Sequence, residues 1–266
     1  MHTALTIAGS DSGGGAGIQA DLKTFAAHGV FGTSAITAVT AQNTLGVTAW
    51  QALAADLVIA QIEAIASDIG ADAVKTGMLA NAAIVKAVAA TIQGMALPHL
   101  VVDPVMIAKG GDRLLEEDAV YAIQTELLPS AHVVTPNIPE AEVLAGMAIA
   151  SVEHMREAGR RILELGPRVV VVKGGHLVSP PGDTEAIDVV CAQGEIYELR
   201  SPRIDTRHTH GTGCTLASAI AANLALGWSA RDAITRAREY LMGAIQQAPG
   251  IGKGHGPLNH FWRTVY

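Results

Sequence analysis

Leu5-Thr6-Ile7-Ala8-Gly9-Ser10-Asp11-Ser12-Gly13-Gly14-Gly15-Ala16-Gly17 joins a short apolar run to a chain of glycines, and a helical stretch from Ile18 to about Ala27 follows. A buried strand, a glycine-rich turn and a helix put a ligand loop at the carboxyl end of a strand. The loop matches neither standard phosphate motif. The dinucleotide fingerprint needs glycines at its first, third and sixth places, and a Walker-type loop needs Gly-Lys-Ser/Thr at a fixed spacing. Neither register occurs here.

The same alternation continues outward from this stretch. Thr33 to Thr40 reads as a β-branched strand, with Gln42 and Asn43 in a polar loop at its end. Asp56 to Ile69 has helical periodicity, Ala73-Val74-Lys75-Thr76-Gly77-Met78 is strand then turn, and Ile84 to Ile92 is helix. His99 to Val102 predicts a strand ending in Asp103-Pro104-Val105, and Asp118 to Leu128 a helix. Val133-Val134 ends in Thr135-Pro136-Asn137, with helices near Glu140–Leu144 and Val152–Leu165. Val169 to Val172 ends in Lys173-Gly174-Gly175-His176. Ile187–Val190 and Glu195–Leu199 form a hairpin about Gln193-Gly194, and Ala230 to Gln246 is a last helix.

Strand–helix alternation predicts an α/β fold with a mostly parallel central sheet and helices on both faces. No linker or internal repeat divides residues 1–266, so a single domain is expected. Strand after strand ends in small or polar residues: Gly9 and Asp11, Gln42, Gly77 and Met78, Asp103, Asn137, Lys173. In open α/β sheets ligands lie at those carboxyl ends, so these residues should converge on one cleft.

A second glycine-rich stretch, Thr209-His210-Gly211-Thr212-Gly213-Cys214-Thr215, precedes the alanine-rich helix-former Leu216 to Leu224. A helix start presents unpaired N–H groups and the positive end of the dipole, and glycines let an anion come close. The same field favours a thiolate at Cys214. A glycine-rich turn followed by a buried Cys is the plainer reading of these residues. Asp103 and Glu140 are candidates for a magnesium site, which leans on one or two carboxylates plus substrate phosphates. A strand-end turn Asp and a first-turn Glu complementing the dipole are the ordinary roles for such residues. Lys173, after four valines and before two glycines, can reach a phosphate. His210 reads as a structural hydrogen-bonding His and Cys191 as core.

Net charge is −7, which disfavours a nucleic-acid partner held by bulk electrostatics. No signal peptide is apparent, and two cysteines make no disulfide framework, so a reduced cytoplasm is expected. Thr24 to Ala55 lacks Asp, Glu, Lys and Arg, but its Thr, Ser, Gln and Asn residues make it a poor membrane span.

Taken in order, Ala8-Gly9-Ser10-Asp11 with Gly13 to Lys23, Lys75-Thr76-Gly77-Met78-Leu79, Asp103-Pro104-Val105-Met106, Thr135 to Ala141, Lys173-Gly174-Gly175-His176, Thr209 to Thr215 and Gly252 to Pro257 resemble the ribokinase superfamily. Within it they resemble the hydroxymethylpyrimidine and phosphomethylpyrimidine kinases of thiamine biosynthesis. The resemblance implies a single-domain ribokinase-like fold and transfer of the ATP γ-phosphate, with Mg²⁺, to the hydroxymethyl of 4-amino-5-hydroxymethyl-2-methylpyrimidine. A second transfer would convert the monophosphate to the diphosphate. It implies Gly211, Thr212 and Gly213 as the anion hole and Cys214 as the base. It also implies Gln42, Gly9, Asp21 and Met78 at the pyrimidine, Lys173 and Thr206 toward ATP, Asp103 and Glu140 near the metal, and a homodimer. His208 departs from the Asn that relatives often carry, and Ser12-Gly13 from a common Pro-Ser or Ser-Ser. A pyridoxal kinase on the same scaffold and a catalytically idle pyrimidine-binding sensor are the rival readings.

Overall fold

The computed structural model describes residues 1–106, 117–176 and 184–263. In chain order the elements are β1 (Thr3–Asp11), α1 (Gly17–Ala27), β2 (Phe31–Asn43), β3 (Gly46–Ala52), α2 (Ala55–Asp68), β4 (Ala73–Thr76), α3 (Ala82–Gly94) and β5 (Leu100–Val102). They continue with α4 (Glu117–Ala122), β6 (Val133–Val134), α5 (Ile138–Ala145), α6 (Val152–Leu163), β7 (Val169–Val172), β8 (Glu185–Ala192), β9 (Glu195–Pro202), α7 (Thr212–Ala225) and α8 (Ala230–Gln246).

All nine strands join one sheet in the order β3-β2-β1-β4-β5-β6-β7-β8-β9. The pairings from β2 through β7 are parallel, while β3 at one edge and β8 and β9 at the other run antiparallel to their neighbours. The α/β architecture read from the sequence is the one observed. Each central strand is buried on both faces, which is why it reads as a continuous valine run and not as an alternation. Alternate residues still part company. Leu100, Val102, Val134, Val170 and Val172 pack toward α2 to α6, and Val101, Val133, Val169 and Val171 toward α1, α7 and α8.

Three boundaries differ from the sequence reading. Gln42 and Asn43 lie inside β2, paired with Val47 and Gly46 of β3, a strand that polar spacing had concealed as loop. The helix expected to Leu128 is α-helical only from Glu117 to Ala122; it continues as a π-helical turn at Ile123–Leu127 and a 3₁₀ turn at Leu128–Ser130. Pro129 lacks the N–H that another α-turn would use. His99 stays outside β5, at a left-handed φ of 49°. The hairpin about Gln193-Gly194 forms as expected, with Gly194 at φ 80°.

Candidate active site

The carboxyl ends of β1, β4, β5, β6 and β7 face the amino end of α7 across a cavity of about 1190 Å³. Gly9, Gln42, Met78, Asp103, Glu140, Lys173, Thr206 and Gly211 to Cys214 all line it. Asp21 does not. It is fully buried beneath the floor and accepts hydrogen bonds from Thr6 Oγ1 (2.6 Å), Ser218 Oγ (2.6 Å) and Lys75 Nζ (2.8 Å). A pocket-lining role for Asp21 is therefore corrected to support of Lys75, whose chain does reach the cavity. The signal was legible as a lone lysine in the apolar four-residue strand Ala73-Val74-Lys75-Thr76, because a buried cation demands a partner.

One wall of the cleft is built by the start of α7. Its cap, Gly211, has φ 86°, and a Cβ there would run into the Gly15 carbonyl oxygen. A Cβ on Gly213 would sit 3.2 Å from Asp103 Oδ2 and 3.4 Å from Lys173 Nζ. Only glycines leave these two amides open to a ligand. Lys173 Nζ donates to Asp103 Oδ1 at 2.9 Å, and Thr135 Oγ1 donates to the same oxygen at 3.2 Å. Although burial disfavours its charge, Asp103 and Glu140 hold the Lys173 ammonium above its ordinary value. Just beyond Lys173, Asp188 receives the Gly174 N–H at 2.8 Å and Arg238 at 2.6 Å. That buried pair steadies the turn that carries the lysine.

Glu140 has a structural duty. Its Oε2 accepts from Asn137 N at 2.8 Å while Asn137 Oδ1 accepts from Glu140 N at 2.9 Å, a complete capping box for α5. Burial, offset in part by Lys173 and reinforced by Asp103, pushes its carboxyl up to about 7. A carboxylate pressed toward neutrality beside a second one is a place where added positive charge is favourable. Among the described residues no three metal-binding side chains cluster. Magnesium, which keeps several waters and shares itself with phosphate, fits such a two-carboxylate wall.

Cys214 overturns the expectation of a thiolate. Part of its surface opens on the cleft, but burial pushes the thiol up to about 11, and Asp21 and Asp103 add to that. Lys75 and the Gly17 backbone pull the other way and lose. The helix start does not outweigh desolvation here. Cys191 is fully buried, as expected of a core residue.

On the β1–β2 side of the cavity, Ser12 Oγ donates to Gln42 O (2.7 Å) and accepts from Gln42 N (2.8 Å), and a Cβ on Gly9 would lie 3.4 Å from Met78 Sδ. The glycine loop after β1 is strapped down by its own Asp11, the residue that sequence reasoning noted only as a strand end. The Asp11 carboxylate takes the N–H groups of Gly13 (2.7 Å), Gly15 (3.0 Å) and Ala16 (2.8 Å), and His210 Nε2 at 2.8 Å. Burial opposes its charge, yet His210 and the Ala16 and Gly13 N–H groups hold the carboxyl below its ordinary range. The loop of residues 13 to 17 is thus fixed by internal hydrogen bonds.

The profile of the phosphomethylpyrimidine kinase family matches residues 11–259. This chain belongs to that family. A hydroxymethylpyrimidine/phosphomethylpyrimidine kinase of Bacillus subtilis (strain 168) is 48% identical over 98% of this chain and 95% of its own. One from Haemophilus influenzae is 49% identical over 97% and 96%. The solved phosphomethylpyrimidine kinase of Clostridium difficile 630 superposes with TM-score 0.82 at 43% identity, covering 92% of this chain and all of that one. A Staphylococcus aureus pyridoxal kinase, solved with AMP-PCP and pyridoxal, superposes at 0.90 with 34% identity, covering 99% and 94%. The chain is accordingly a phosphotransferase with a ribokinase-like fold. Among its described residues no helix is long and apolar enough to cross a membrane.

Proposed function

We propose that this kinase moves the γ-phosphoryl group of ATP onto the hydroxymethyl oxygen of 4-amino-5-hydroxymethyl-2-methylpyrimidine, and then phosphorylates the monophosphate to the diphosphate. One observation carries the reading: a single cavity is lined both by the α7 amides and Lys173 and by Gln42, Met78 and Gly9. The first set suits phosphate oxygens and the second a flat heterocycle with polar edges.

In this scheme the hydroxymethyl oxygen attacks the γ-phosphorus in line, the bond to the β-bridging oxygen breaks, and ADP leaves. The N–H groups from Gly211 to Cys214 and the Lys173 ammonium meet charge on the equatorial oxygens. Thr206 borders ATP, and Asp103 and Glu140 would hold Mg²⁺, which would neutralise charge on the phosphates. Gln42 orients the pyrimidine edge. Cys214, when ionised, accepts the hydroxyl proton. Its raised thiol makes the reactive thiolate scarce at neutral pH, and the loose transition state of phosphoryl transfer asks little of a base before the leaving bond is broken.

The protein is read further as one cytoplasmic domain that forms a homodimer. Val39, Leu45 and Trp50 lie exposed on the β2–β3 hairpin, which gives a partner apolar area to cover. Sedimentation at a twofold mass would support the dimer, and monomeric sedimentation at assay concentration would refute it.

A coupled assay with ATP and Mg²⁺, offered the hydroxymethylpyrimidine, its monophosphate or pyridoxal, tests the activity, with products identified by mass. Turnover on both pyrimidines supports the proposal. Pyridoxal alone would move the substrate to vitamin B6, a reading favoured by the close superposition on pyridoxal kinases. Binding without turnover would mean a sensor.

A further inference from the structure

Two walls of the cleft are made by parts of the chain far apart in sequence, and a buried hydrogen bond joins them. Asp11 closes the pyrimidine-side loop with three backbone N–H groups, and its Oδ2 also takes His210 Nε2 at 2.8 Å. His210 directly precedes Gly211, the cap of α7. Gly15 and Gly211 are packed so closely that no Cβ fits between them, and a Cβ on Gly15 would come within 2.5 Å of the His210 ring. From the other side His210 N donates to Gly256 O at 3.1 Å, and the residue bridges Pro257. The carboxylate is 2% exposed, so water does not loosen the contact.

The proton position also matters for Gln42. His210 Nε2 must donate to Asp11, whose oxygens accept, so it has no lone pair left for the Gln42 amide 3.5 Å away. That separation is too long for a good hydrogen bond in any case. The Gln42 amide keeps its donors for the heterocycle.

We propose that Asp11 and His210, which border the same cavity, form a clasp that sets the distance between the acceptor hydroxyl and the anion hole, acting as positioning residues. The loop carries Ser12, and Ser12 holds the Gln42 backbone, so Asp11 governs the pyrimidine wall. His210 governs the start of α7. Losing the clasp lets the two walls drift while each keeps its own ligand contacts. Misplacement by about 1 Å costs on the order of a hundredfold in rate. The effect therefore falls on kcat and spares KM. The inference rests on the kinase reading above only for its acceptor.

The test uses the full chain with ATP, Mg²⁺ and whichever acceptor the wild type phosphorylates, well below the melting temperature of every variant. His210→Ala should lower kcat on the order of a hundredfold, with both KM values within about threefold. His210→Gln, whose amide can donate from a similar place, should recover most of the loss. Asp11→Asn, nearly isosteric, should behave like His210→Ala, and the double variant should be no slower than the worse single, because the pair acts as a unit. A His210→Ala kcat within twofold of wild type would overturn the clasp, as would a double variant whose losses multiply. Equal damage in His210→Ala and His210→Gln would overturn it too, since the donor would then not be what matters. Should wild type accept only pyridoxal, the pyrimidine assignment fails while the clasp is measured unchanged on pyridoxal.

Discussion

Raising the pH should bring out the Cys214 thiolate late. With the thiol pushed up to about 11, only ~3 molecules in 10,000 carry thiolate at about pH 7.5, against ~3 in 100 for a thiol at its ordinary 9.0. Iodoacetamide consumes thiolate, so alkylation of Cys214 should start about a hundredfold slower than for a free thiol and climb about tenfold per pH unit to roughly pH 10. Peptide mass spectrometry separates this site from Cys191, whose buried thiol is also pushed up to about 11. Lys75 is the cation that opposes the rise. Ser218, one helical turn beyond Cys214 on the same face of α7, donates to Asp21 Oδ1, and Lys75 donates to Asp21 Oδ2. An ammonium within roughly 7 Å of the sulfur would be worth up to ~2.4 kcal/mol at an effective dielectric of about 20, or ~1.7 pH units. Lys75→Met should therefore slow alkylation further at about pH 9, by up to ~50-fold, less whatever Asp21 recovers by taking up a proton. Breaking a buried pair costs about 3–5 kcal/mol, so this variant is measured cold and beside a melting curve. A wild-type plateau below about pH 8 would refute the reasoning, since the helix start would then have outweighed desolvation. Faster alkylation in Lys75→Met would do the same. If alkylation climbs with pH while kcat stays flat, the thiol's surroundings are as described but Cys214 is not the base.

Gln42→Ala should weaken pyrimidine binding by calorimetry roughly tenfold, the value of one hydrogen bond, and leave ATP affinity unchanged; equal pyrimidine affinity would remove Gln42 from the site. Gly211→Ala combines a left-handed φ of 86° with a clash against Gly15 O, and should cut kcat at least ~100-fold. Gly29→Ala has a similar φ of 72° in open space and serves as the control, with a cost of about 1–2 kcal/mol in stability and full activity. Glu140→Gln should raise the Mg²⁺ concentration for half-maximal turnover severalfold, read by titration at saturating ATP; an unchanged requirement would leave Glu140 only its capping role.

What the sequence made legible was periodic or local. Valine runs broken by Gly, Asp, Asn or Lys marked the strands and their functional ends, and the cleft forms where those ends meet. What stayed hidden depended on distance in sequence or on energetic balance. Asp11 and His210 are 199 residues apart, and nothing in either neighbourhood announces the other. β3 escaped because its Thr and Gln residues face solvent at a sheet edge, where no buried face imposes an alternation. Asp21 was misplaced because its Asp-Leu-Lys setting is that of an ordinary helix, and only the sheet reveals Lys75 beneath it. At Cys214 the helix start was visible, but its opponent, burial, was not.

From Thr215 to Ala225 every residue of α7 is buried, between α1, α8 and the sheet. Amides in such an element exchange with solvent only when the whole molecule opens. The amino end of α7, proposed above as the anion hole, is thus anchored to a fully buried helix body. Deuterium should enter the exposed β2–β3 hairpin within the shortest labelling times and reach the body of α7 last. Partial opening can then disturb the pyrimidine wall while the phosphate wall persists, so on mild heating acceptor recognition should fade before the anion hole comes apart.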